Sequence, residues 1–174
     1  MATQRKGEPP ELSQRAIEEI YQRLEKPMFN IVYRRLWNAE EAQDVVQEVF
    51  LRLWGHRATV RLETVEPWLY RVALNLASNR RRFARLWGWT RLEGVEADAA
   101  PNAEEQLATR QQAARLRQAI DGLPEKLRRA LLLTELSGMS HPKVGRALGI
   151  PAGTVASRRH LAMRRLQELL GGEA

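Results

Sequence analysis

The chain has no cysteine. That excludes a disulfide framework, a thiolate metal site and a thiol nucleophile, and it suits a reducing, cytoplasmic setting. Long apolar runs are missing too: the longest uninterrupted aliphatic stretch is Ala130 to Leu133, against the roughly 20 residues that a membrane-spanning helix needs. The basic start MATQRKGEPP leads into Glu11 and Ser13 rather than an apolar segment, so a secretory signal is not expected. Histidine is scarce. His56, His141 and His160 lie far apart without metal-ligand spacing, so no metal site is expected. No serine sits in a nucleophile elbow and no glycine-rich loop is built to cradle phosphate, so neither a cofactor nor an intrinsic enzyme activity is expected.

What is present is a foldable, basic chain. Its 174 residues are 44% apolar, enough for a core in one ordinary domain or two small ones. Lys and Arg number 28 against 21 Asp and Glu, a formal charge of +7. An anionic partner follows, nucleic acid first.

Apolar positions from Leu12 to Leu86 keep helical spacing. Ile17, Ile20, Tyr21 and Leu24 form one stripe, and Pro27 is expected to end or kink that helix. A second helix then carries Phe29, Val32, Tyr33 and Leu36. Asn38 with Glu41 three residues on has the form of a capping box, opening a helix over 39–54 that buries Ala42, Val45, Val46, Val49, Phe50 and Leu53. Asp44 and Glu48 are left as an acidic i,i+4 pair on its surface. Residues 55–66 mix glycine and β-branched residues without a sustained stripe and read as a loop. Pro67 suits the first turn of the next helix, which runs through Trp68, Leu69, Val72, Ala73 and Leu76 and turns basic after Ser78.

Composition shifts between Gly88 and Glu105, where Glu93, Glu96, Asp98, Glu104 and Glu105 accompany Gly94, Ala99, Ala100 and Pro101. Such a segment reads as a flexible acidic linker. Beyond it the spacing predicts helices over about 104–120, 124–137, 140–148 and 152–170, with Pro124 and Pro142 at first turns and Gly138 at a helix end. The fold expected is all-α: two small helical domains, 12–87 and 104–170, joined by a linker at 88–103.

Residues 140–162, SHPKVGRALGIPAGTVASRRHLA, have the spacing of a helix-turn-helix. Val144 and Leu148 mark the first helix, Gly145 lets the helices approach, Gly149 makes the turn, and Ile150 and Val155 are core points. Gly153, Thr154, Ser157, Arg158 and Arg159 then fall at the exposed start of the second helix, the part that enters a major groove in this motif. Arginine reads guanine or holds phosphate; Thr and Ser bond base or backbone. A small helical hairpin with a solvated basic face has the same pattern. Arg164 and Arg165 serve equally well as partners of the helix C-terminus.

Taken together the two halves resemble a family. LPEKLRRALLLTELSGMSHPKVGRALGIPAGTVASRRHLAMRRLQELL is similar to the promoter-binding C-terminal domain of bacterial extracytoplasmic-function (ECF) sigma factors, the small two-domain members of the sigma-70 family. AEEAQDVVQEVFLRLW resembles their polymerase-binding helix, and PWLYRVALNLASNRR their promoter-melting helix. The likeness covers nearly everything from residue 12 to 170.

The resemblance implies that Asp44, Gln47, Glu48 and Phe50 dock on the coiled coil of the largest RNA polymerase subunit. It places Trp68, Arg71, Asn75, Asn79, Arg80, Arg81 and Arg82 at the minus-ten element, with the loop 55–66 holding an extruded base. Trp68 and Tyr70 stack on DNA or pack in the core; both stay open. Thr154, Ser157, Arg158, Arg159 and His160 fall at the minus-thirty-five element. Here the chain departs from the family pattern: Ala156, Leu161 and Met163 stand where Lys or Arg is common, and Arg159 replaces an apolar residue, which implies an atypical minus-thirty-five sequence. The partners implied are core RNA polymerase, promoter DNA and an anti-sigma factor, often membrane-bound. The linker is a solvated spacer or threads toward the polymerase active site. A free-standing helix-turn-helix regulator would leave the first half's motifs without a purpose, and a protein that only binds another helical partner leaves more unexplained still.

Overall fold

A computed structural model describes residues 11–86 and 103–171, apart from the side chains of 85 and 103–109. The linker expected at 88–103 lies, but for its last residue, outside them. Among the described residues seven α-helices follow one another: α1 (Gln14–Leu36), α2 (Ala39–Gly55), α3 (Leu62–Leu86), α4 (Ala103–Gly122), α5 (Glu125–Leu136), α6 (His141–Leu148) and α7 (Ala152–Gly171). None of these is long and apolar enough to cross a membrane.

Two boundaries differ from the expectation drawn from spacing. α1 continues past Pro27 rather than ending there. Ile17, Ile20, Leu24, Met28 and Ile31 all fall on one face and are buried. Burying side chains such as Met28, Ile31 and Val32 contributes about 1.5–3 kcal/mol each, which offsets the roughly 3 kcal/mol that an interior proline costs. α3 begins at Leu62, so Pro67 sits inside it, just past the first turn. Its opening turn shows Leu62, Glu63 and Thr64 to solvent and buries only Val65, too little pattern to be seen as helix.

The caps are built from local chemistry. Ser13 accepts from the Ala16 amide, and Asn38 Oδ1 accepts from the Glu41 amide at 2.8 Å. Asn38→Ala is expected to lower stability by about 1 kcal/mol, read by thermal denaturation, with Asn38→Asp close to the parent. Trp37, between α1 and α2, takes the left-handed conformation at φ 55°.

α1, α2 and α3 pack on each other; α5, α6 and α7 do the same, with α4 against α7. These are the two helical domains expected, and they also touch. Ile31, Val46, Leu69 and Leu74 of the first share a continuous apolar core with Leu132, Leu133, Val144 and Val155 of the second. Trp37 and Tyr33 reach a smaller core made by Ile120, Leu123, Leu127, Leu131, Ala162 and Leu166.

Candidate functional site

α2 is amphipathic by construction. Ala42, Val45, Val46, Val49 and Leu53 are wholly buried, so residues at the opposite phase must face out. Asp44 and Gln47 are exposed and Glu48 is half-buried, and the three form one row at the i, i+3, i+4 spacing. Leu51, 72% exposed, and Trp54, 44% exposed, prolong that row. Both were missed in the sequence reading, although their seven-residue offsets from Asp44 and Gln47 were visible. Phe50 lies elsewhere: it is buried, edge-on to Tyr21 with ring centroids 4.8 Å apart. It sets the helix in place rather than presenting a contact surface.

The acidic row already holds cations. Arg52 pairs with Glu48 at 2.6 Å, and Arg80 reaches both Asp44 (3.4 Å) and Glu48 (3.7 Å) from α3. Thus one residue of the expected minus-ten set is turned toward the expected polymerase face.

The remaining α3 candidates divide by direction. Arg71, Asn75, Asn79 and Arg82 are all exposed, with Arg82 donating to Asn79 at 3.4 Å. Trp68 is half-buried beside the His56 ring, 5.8 Å between centroids. Arg71 donates to the main-chain carbonyls of Ala147 (3.0 Å) and Arg146 at the end of α6, where a cation complements the helix C-terminus. Asn75 accepts from Arg129 at 3.3 Å, and Arg81 pairs with Asp121 at 3.0 Å. Tyr70, by contrast, is fully buried and belongs to the core; burial and the charge of Glu66 push its hydroxyl well above the usual tyrosine range. The segment before α3 is stapled on itself, Thr59 donating to the His56 carbonyl and Arg57 to that of Trp54.

The helix-turn-helix has the geometry its glycines demand. Gly149 sits at φ 69°, and the Ile150 amide donates back to the Gly145 carbonyl at 3.0 Å. A Cβ on Gly145 would lie 2.6 Å from the Ile150 carbonyl oxygen. Val155 is wholly buried. Ser157, His160 and Leu161 are exposed on α7, Ser157 donating to the Gly153 carbonyl, while Thr154, Ala156 and Arg158 are half-buried. Arg159 is held by Glu135 at 2.6 Å. Met163 packs against the Trp37 core, which gives this apolar substitution a structural reason.

Between the halves runs a charged seam. Arg35, with 1% of its side chain exposed, donates to Glu125 (2.6 Å) and Ser78 (2.8 Å). Burial raises the Glu125 carboxyl, but the Arg35 hydrogen bond and the charges of Arg35, Arg128 and Arg129 bring it below its ordinary value. Arg128, next to Asp121, is pushed down to about 10 by burial and by the charge of Arg81. Lys143 meets Glu66 at 2.9 Å.

Comparison with known proteins places this architecture. Residues 20–86 match Sigma-70 region 2 and residues 105–166 match Sigma-70, region 4. The ECF RNA polymerase sigma factor SigE of Mycolicibacterium smegmatis is 30% identical over 161 residues, covering 88% of this chain and 61% of that protein. The chain therefore spans about three-fifths of that relative. The RNA polymerase sigma-H factor of Pseudomonas aeruginosa is 31% identical over 155 residues, covering 83% of this chain and 80% of its own. Among solved structures, the sigma factor RpoE of Bartonella quintana in complex with the anti-sigma factor NepR superposes with a TM-score of 0.65 at 21% identity. That match covers 90% of this chain and 98% of the other.

Proposed function

The chain belongs to the sigma-70 family, among its extracytoplasmic-function sigma factors, and from that membership we propose that it directs core RNA polymerase to promoters in the cytoplasm. The reading divides the labour. Residues 12–87 grip the polymerase through Asp44, Gln47 and Glu48 of α2, with Leu51 and Trp54 continuing the contact, and open the minus-ten region through α3. Residues 104–170 hold duplex DNA at the minus-thirty-five element through α7, and 88–103 connects them. Nucleotidyl transfer belongs to the polymerase, so the chain itself needs no catalytic group.

The observation that carries this reading is the acidic, partly apolar row on α2, backed by a wholly buried face, in the same chain as a helix-turn-helix whose second helix shows Ser157 and His160 to solvent. An acidic row suits a basic clamp. On α3, Asn79 suits a base edge and Arg82 a phosphate. At α7, Ser157, Arg158 and His160 are the residues for groove contacts, Leu161 offers an apolar contact to a thymine methyl, and Arg159 reaches DNA only by leaving Glu135. An anti-sigma factor, the kind of partner found on the Bartonella relative, would control the chain by covering these faces.

Run-off transcription with core polymerase and a library of genomic fragments tests the reading. Discrete transcripts that depend on adding the chain are expected. Core polymerase that holds the chain yet starts no transcript on any fragment would overturn it.

A further inference from the structure

A single exposed phenylalanine is ordinary on a protein surface. What distinguishes Phe83 is its neighbours. It is 56% exposed near the end of α3 and, among the described residues, joins neither apolar core. Asn79, Arg82, Phe83 and Leu86 fall at i, i+3, i+4 and i+7, so they share one helix face, and all four are exposed. The Arg82 guanidinium lies 6.0 Å from the centre of the Phe83 ring and donates to Asn79 Oδ1 at 3.4 Å. An amide, a cation and an aromatic face therefore stand side by side in solvent, on a row about 10 Å long at 1.5 Å per residue.

The rest of α3 narrows the choice of ligand. Arg80 is taken up by Asp44 and Glu48, Arg81 by Asp121, and Arg71 by the α6 carbonyls. Arg82, by contrast, has its described contacts on α3 itself. A phosphate suits Arg82 and a base edge suits Asn79, but neither contact calls for a ring. A single strand does: each unpaired base offers a π-face to an aromatic side chain, while bases inside a duplex are already covered by their neighbours. A membrane surface would ask for a broad apolar stripe with the cations at its margin. Here the amide and the guanidinium occupy the same face as the ring.

We infer that Phe83 is a stacking residue for an unpaired DNA base, with Arg82 on the adjoining phosphate and Asn79 on the base edge. This deepens the sigma-factor reading of α3, which supplies the melted strand. The minus-ten set drawn from the sequence contains one aromatic, Trp68, and that side chain is half-buried; Phe83 gives the helix an exposed one. Because stacking accepts any base, Phe83 adds affinity for separated strands over duplex and leaves sequence preference to other residues. The end of α3 thereby favours the open form of whatever DNA lies on it.

Fluorescence anisotropy of the full chain tests this, titrated against a short labelled DNA single strand of random sequence and against a duplex of the same length. Phe83→Ala is expected to lower single-strand affinity about tenfold, within what a base–aromatic stack contributes, and to leave duplex affinity unchanged. Phe83→Leu keeps the apolar bulk and the helix propensity and is expected to lose as much, while Phe83→Trp, with a wider ring, binds at least as tightly as the parent. Removing an uncharged ring leaves the slope of log affinity against log salt where it was; Arg82→Gln flattens it by about 0.7. A parent without affinity for the single strand, a Phe83→Leu protein that binds as the parent does, or an equal loss on duplex would each overturn the inference. So would binding to phosphatidylglycerol vesicles that Phe83→Ala abolishes while single-strand affinity holds, which puts a membrane surface at the ring. Far-UV circular dichroism of each variant excludes a trivial loss of fold. The titration contains no polymerase, so core polymerase retention, measured separately, decides the sigma-factor reading: its loss in the parent would strike that reading and leave the stacking result standing.

Discussion

Reversing Asp44 and Glu48 together to lysine is expected to weaken retention by core RNA polymerase by about 100-fold, with the melting temperature nearly unchanged. Each carboxylate sits on the exposed side of α2, where it would meet a basic partner surface. Losing a close interfacial charge pair costs upward of about 1.5 kcal/mol, and every 1.4 kcal/mol is tenfold in affinity. Two such losses multiply. Stability should hold because neither side chain supports the core, which Val45, Val46 and Val49 fill from the other face. Lysine there would also repel Arg80 and Arg52, but exposed pairs of this kind contribute only about 0–1 kcal/mol. Glu18→Lys with Glu19→Lys, an equal charge change on the exposed side of α1, is the control. If it weakens retention as much as the α2 reversal, the effect is one of net charge, and the α2 row is not the docking surface.

Gly145→Ala should destabilise the chain by about 2–3 kcal/mol, the usual range for an overpacked site. The added methyl would lie 2.6 Å from the Ile150 carbonyl oxygen and 3.5 Å from the Ala152 nitrogen, and both are main-chain atoms. The Ile150 amide is itself tied to the Gly145 carbonyl, so the turn cannot retreat without breaking the bond that shapes it. For a chain of this size the loss corresponds to a fall in Tm of about 5–10 °C. Gly153→Ala supplies the contrast: nothing lies within 4 Å of its added methyl, and alanine in a helix is favoured over glycine by about 0.5–1 kcal/mol. Thermal denaturation of the two variants side by side checks the pair. A Gly145→Ala protein as stable as its parent would mean that the helix-turn-helix is looser than its hydrogen bonds imply.

Some of the architecture was legible before any coordinates. Asn38 with Glu41, the stripe from Ala42 to Leu53, and the pair Gly145 and Gly149 are local signals. Each depends on residues within a few positions of one another, and each appears in the structure where its chemistry puts it. The unbroken α1 was not legible because burial against distant helices outweighs the local preference of a proline, and the early start of α3 was not because its opening turn is mostly exposed. Phe50 was legible as well: spacing puts it on the buried face of α2, and it packs there on Tyr21, although the resemblance alone counted it with the docking residues.

By itself the sequence determined that the chain is helical, basic, free of thiol chemistry and equipped with two sets of motifs in sigma-factor order, since periodicity, capping and composition act over short stretches of chain. Only the tertiary structure decided where each charge is spent. Arg35 meets Glu125 across 90 positions and Arg71 meets Ala147 across 76, and such pairings exist only once the helices have packed and burial has made an unpartnered guanidinium costly.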